Sequence, residues 1–190
     1  PVKGKKTDAK DKGKMEVEPD VTYVKKDPND KFEPIPETPL HPTEEAFVKA
    51  CEGYVTEYPK DKEVPFVSFR AAEIYINKGH YSEGIKRLEV IIEHHSAHKY
   101  AGHAVATLFD SNYRLKRWDQ MERWGRYMLE KKNFEVLSKA KLEEVIAISI
   151  NEYATELSKK GENEKAREQM LRFIKEFPSH PKAPIALFNA

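Results

Sequence analysis

Tyr75-Ile76-Asn77-Lys78-Gly79-His80-Tyr81-Ser82-Glu83-Gly84-Ile85-Lys86-Arg87-Leu88-Glu89-Val90-Ile91 returns later in the chain as Leu157-Ser158-Lys159-Lys160-Gly161-Glu162-Asn163-Glu164-Lys165-Ala166-Arg167-Glu168-Gln169-Met170-Leu171-Arg172-Phe173. Tyr75, Gly79, Tyr81, Gly84, Leu88 and Ile91 are matched by Leu157, Gly161, Asn163, Ala166, Met170 and Phe173, and Glu57-Tyr58-Pro59 is echoed by Glu176-Phe177-Pro178. Each copy reads as two amphipathic helices that cannot bury their apolar stripes alone. Copies must therefore stack into a shared core. Ala72 with Gly84, and Ala154 with Ala166, put a small side chain on each helix where two axes approach to roughly 8–10 Å. Gly79 and Gly161 follow runs of helix formers and read as left-handed residues closing a helix.

Counted from Gly79 as the fifteenth position, Ala72 falls eighth, Tyr75 eleventh, Gly84 twentieth, Leu88 twenty-fourth and Ser96 thirty-second. On these positions the chain resembles the tetratricopeptide repeat (TPR) family from about Thr43 to Ala190. The strings Lys165 to Ala183 and Glu93 to Ala101 are similar to repeats of bacterial cell-envelope members: Tol-Pal coordinators, outer-membrane assembly lipoproteins and gliding-motility proteins. The resemblance implies an all-α fold, a TPR-like right-handed α-solenoid of antiparallel helix pairs. About three repeats plus flanking half-repeats would span residues 43–190, behind an extended arm over residues 1–42. It also implies a periplasmic or outer-membrane-associated protein, with a cytoplasmic peptide-binding cochaperone as the alternative. In the middle copy Trp118 takes the seventeenth position. Phe109 and Met121 then fall where small residues belong, so that copy is either degenerate or shifted by a residue. The long interval before Pro178 predicts an extended helix from about Phe134 to Lys160.

By the same resemblance, the first helix of each repeat lines a groove. Its members would be Phe66, Phe69, Glu73, Ile76 and Asn77 in one copy and Ile148, Asn151, Thr155 and Ser158 in another, with Asp110, Tyr113 and Arg114 between them. The family's clamp for chaperone C-termini uses Lys and Asn at the fifth and ninth positions. Phe69 and Glu73 stand there, so an extended or helical apolar peptide is the expected ligand.

The 190 residues carry a formal net charge of +1 and 34% charged side chains, which suits solvated amphipathic helices around one core. Six lysines against two aspartates lie within residues 1–14. That run is too polar to repay its own ordering and reads as a tail. It offers a peripheral contact with anionic lipid by charge alone. Without interleaved aromatics it gives no case for nucleic acid. From Met15 to Pro42 repeated prolines exclude helix. Tyr23, Phe32, Ile35 and Leu40 make the stretch more apolar than a spacer needs. It is expected to pack on its own repeats or to strap across a partner protein. The segment Ala183 to Ala190 reads as the first half of another repeat helix, so the sequence is expected to be a piece of a longer array.

Chemistry has few footholds. His94, His95 and His98, with His103 nearby, form the one metal-like cluster, since imidazoles four apart on a helix can share an ion. They fall at a repeat boundary, and helix-end capping or a surface position is the preferred reading over a metal site. Cys51 is the only cysteine and sits on an apolar helix face, where a lone thiol packs as a small hydrophobe. No phosphate loop, nucleophile elbow or paired-carboxylate motif is present, so a noncatalytic scaffold without cofactor or metal is expected, with other proteins of an assembly as partners. Trp118 reads as core. Trp124, about 600° further round the helix, turns to a flank. There it forms a cationic-aromatic patch with Arg114, Arg117, Arg123 and Arg126, unless the arginines simply face solvent.

Overall fold

The structure, a computed structural model, describes residues 32–131 and 134–189. Those residues form eight helices and no strand. They are α1 (Pro42–Glu57), α2 (Val64–Asn77), α3 (Tyr81–His94), α4 (Ala101–Arg114), α5 (Trp118–Glu130), α6 (Lys139–Lys159), α7 (Asn163–Glu176) and α8 (Ala183–Asn189). Consecutive helices pack on one another throughout. Tyr23 and the lysine-rich tail lie outside the described residues.

Two kinds of turn alternate along the chain, and each recurs with the same hydrogen bonds. After α2, α4 and α6 one residue adopts a left-handed conformation: Gly79 (φ 80°), Lys116 (φ 54°) and Gly161 (φ 77°). The next N–H reaches back six residues inclusive, from His80 to the Tyr75 carbonyl (2.9 Å), Arg117 to Asn112 (2.8 Å) and Glu162 to Leu157 (3.0 Å). This bond satisfies a carbonyl that the helix end would leave bare. Lys116 stands in step with Gly79, so the middle copy keeps its register. Its bulky residues are accommodated instead by spacing, for Phe109 and Met121 are fully buried and α4 and α5 approach less closely than α2 and α3.

The second turn precedes α2, α4 and α8. Asp61, His98 and His180 donate their N–H groups to Tyr58, His95 and Phe177, and their carbonyls accept from Val64, Ala101 and Ala183. Their side chains also act alike. Asp61 Oδ1 accepts the Glu63 N–H (2.8 Å), His98 Nδ1 that of Tyr100 (3.3 Å) and His180 Nδ1 that of Lys182 (3.1 Å). Before α6 the pattern breaks. Phe134, Val136 and Leu137 are buried in the main apolar cluster, and Ser138 caps the helix by accepting the Lys141 N–H. The long helix therefore starts at Lys139 and not at Phe134.

Close approach follows the small residues. A Cβ on Gly84 would meet the Ile76 side chain and stand 3.1 Å from the Ala72 carbonyl, while Ala154 and Ala166 are both buried. Gly125 plays this part for α5 against α6, where a Cβ would stand 2.7 Å from Ile146 Cγ1. Side chains bridge alternate helices. Arg87 pairs with Glu52 between α3 and α1, and Glu89 of α3 accepts from the Trp124 indole (3.1 Å). Between α5 and α7, Glu122 and Glu176 share Arg126 and Arg172 in a closed ring of four ion pairs. Trp124 is buried in the main apolar cluster with its indole on Glu89, not on an open flank as its helix angle suggested. The arginines divide: Arg123 lies over the Trp124 ring (5.0 Å), while Arg126 is taken up by the ring of ion pairs.

Candidate binding surfaces

The residues assigned to a groove lie on α2, α4 and α6. Phe66 and Phe69 of α2 lie against Tyr100 (ring centroids 5.0 and 5.5 Å) at the entry to α4, and Phe69 also meets His103 (5.9 Å). Phe69 is buried by these contacts and Ile76 by its packing on Gly84. Glu73 pairs with Arg70 (2.6 Å) and Asn77 is exposed. Further along, Asn151, Thr155 and Ile148 of α6 are half-buried and Ser158 is exposed. The Thr155 hydroxyl donates to the Asn151 carbonyl (2.9 Å) and the Asn151 amide to Glu152 (3.2 Å). The first set is thus an aromatic junction between α2 and α4, the second a polar stretch of α6.

The histidines are placed by local structure. His94 is exposed, and His95 caps α3 with its N–H on the Ile91 carbonyl (2.9 Å). His98 stacks on Tyr100 (5.8 Å, 20°). Burial holds His98 below the ordinary imidazole range, with Lys99 adding to the effect and Glu63 opposing it. Burial first, then His94 and His98, does the same to His95. Among the described residues no group of three or more His, Cys, Asp and Glu is arranged to hold a metal ion. Cys51 is buried and its thiol pushed up by burial. It lines an open depression of about 230 Å³ with Glu52, Ser68 and Arg87.

The arm residues meet the chain's own helices. Phe32, itself left-handed (φ 51°), packs edge-on to Tyr113 (5.4 Å) and under the Arg114 guanidinium (5.3 Å). Arg114 also binds Asp110 (2.8 Å) and the Glu33 carbonyl (3.2 Å). Ile35 packs on the main apolar cluster and its N–H donates to the Tyr81 hydroxyl (3.0 Å). The Thr38 N–H donates to the Lys78 carbonyl (2.9 Å), and the Thr38 carbonyl meets His80 Nε2 (2.8 Å). Leu40 is half-buried just ahead of α1, which His41 caps by accepting the Thr43 N–H. Tyr81, His80 and Lys78 were not singled out as arm contacts. Nothing local in the sequence tells a turn residue that it will receive a segment from some forty positions earlier.

Comparison with protein-family models, curated proteins and solved structures finds no match to this chain. Among the described residues no helix is long and apolar enough to cross a membrane.

Proposed function

We propose that the chain is a TPR-like right-handed α-solenoid acting as a noncatalytic scaffold or adaptor between proteins of a bacterial envelope assembly. One observation supports the solenoid reading: the left-handed turn recurs after α2, α4 and α6, and the second turn type recurs before α2, α4 and α8, each with its own hydrogen bonds, the connection before α6 being the exception. Arrays of this kind present extended surfaces suited to holding other proteins. The helices α2, α4 and α6 supply the binding face, with Asn77, Asn151 and Thr155 reachable by a partner, Phe66 at its aromatic end and Arg114 under the docked arm. The envelope location rests on the resemblance of residues 165–183 and 93–101, and cell fractionation tests it.

Cross-linking capture tests the function. Asn151→Asp combined with Thr155→Lys should abolish specific capture while the melt is unchanged, whereas Lys86→Glu on α3 should leave capture intact. Equal capture by both variants, or loss only on changing α3, contradicts the binding face.

A further inference from the structure

The segment Phe32 to Thr38 occupies its surface in the manner of a bound peptide. Its anchoring points fall three residues apart. Phe32 and Ile35 contribute side chains, while Thr38 contributes both backbone groups. The residues between them, Glu33, Pro34, Pro36 and Glu37, are exposed. A three-residue period is that of a polyproline II strand, and Pro34 and Pro36 restrict the chain before it binds.

The receiving surface is equally specific. The Tyr81 hydroxyl, the Lys78 carbonyl and His80 Nε2 meet the backbone of the segment, and Arg114 with Tyr113 frames the aromatic ring. Gly79 leaves the room. A Cβ there would stand 2.6 Å from the Ile35 carbonyl oxygen and 2.8 Å from Glu37 Cα. The equivalent turn at Gly161 has nothing within 4 Å of such a Cβ, and Glu162 and Asn163 replace His80 and Tyr81. Only one of the two glycine turns is therefore furnished as a receiving site.

We propose that the α2–α3 turn together with the end of α4 is a recognition site for an extended, proline-spaced peptide of the pattern aromatic-x-Pro-aliphatic-Pro-x-x, the last position read through its backbone, and that this chain's own residues 32–38 occupy it in cis. The site deepens the scaffold reading and rests on it for its biological use. A partner segment of the same pattern gains access by displacing the strap. Because the tether to α1 is short, the strap acts at an effective concentration on the order of millimolar, so a free peptide competes poorly until the strap is weakened.

Fluorescence anisotropy with a labelled peptide copying Phe32 to His41 tests this on the full chain. Phe32→Ala with Ile35→Asp should release the strap. The variant should bind the peptide at least tenfold more tightly than the wild type, and adding His80→Ala should reverse the gain. If the double variant loses helical circular dichroism, Phe32→Ala alone serves, with a smaller gain in the same direction. Equal binding by wild type and strap variants, or no binding by a folded strap variant at millimolar peptide, overturns the proposal. Peptide binding without any specific protein capture would uphold this site and sink the scaffold reading; capture without peptide binding would do the reverse.

Discussion

Gly79, Lys116 and Gly161 hold one left-handed position in three successive turns, and only two of them are suited to it. A side chain in that region costs roughly 1–2 kcal/mol, so Lys116→Gly should raise stability by up to about 1 kcal/mol after the entropy of glycine is deducted. Urea melts check this. The same melts should separate Gly79→Ala from Gly161→Ala. Both introduce strain, but only the first drives a Cβ into the Ile35 carbonyl, so it should be clearly the more damaging. Equal losses would count against the docked strap. His98 brings pH into the fold. Its folded-state value lies below that of a free imidazole, about 6.5, so its contribution is complete above that pH and is lost as pH falls through the folded value. Protonation also removes the Nδ1 lone pair that receives the Tyr100 N–H. Stability should therefore fall as pH drops below the free imidazole value, and His98→Asn, which supplies an oxygen as Asp61 does, should fall less; an unchanged drop would contradict this role. At this scale the glycine turns were legible because φ > 0 has a residue signature. Lys116 was not, since lysine carries none. Trp124 was misjudged because its angle was reckoned on one helix, whereas Glu89 of α3 closes over it from another.

The helix pairs differ in how tightly their small residues let them close. Ala72 and Ala154 are both buried at such approaches, so Ala72→Leu and Ala154→Leu should each cost about 1–3 kcal/mol through overpacking. An unchanged thermal melt for both would refute the register on which the helix pairing was read. Helix identity, the pairing of α2 with α3 and of α6 with α7, and the unusual length of α6 could all be read from spacing. The start of α6 could not. Phe134, Val136 and Leu137 have the apolar character of a helix face but serve as a plug in the core, and only the Ser138 cap marks the boundary. The arm shows the same division. Its prolines announced a non-helical segment, but its landing place on the Gly79 turn depends on contacts between residues far apart in sequence.

Over the whole molecule, apolar packing is continuous from α2 into α6 and passes on to α7 and α8 through a second cluster of Ile146, Ile150, Phe173 and Ala186. Bridges between alternate helices run beside it, the ring of Glu122, Glu176, Arg126 and Arg172 being the most connected. Burial alone would raise the Glu176 carboxyl, yet the two arginines outweigh it and hold it low. The sequence offers the proposed groove only as a set of positions on α2, α4 and α6; whether a position stays open depends on what neighbouring helices lay across it. Phe69 closes under Tyr100 while Asn77 remains exposed. A stack in which each repeat touches only its neighbours should lose stability locally. Hydrogen exchange followed by mass spectrometry on Ala72→Leu measures this directly. The expected result is faster exchange in α1 to α4, fading through α5, with α7 unchanged; uniform acceleration across all helices would contradict a one-dimensional array.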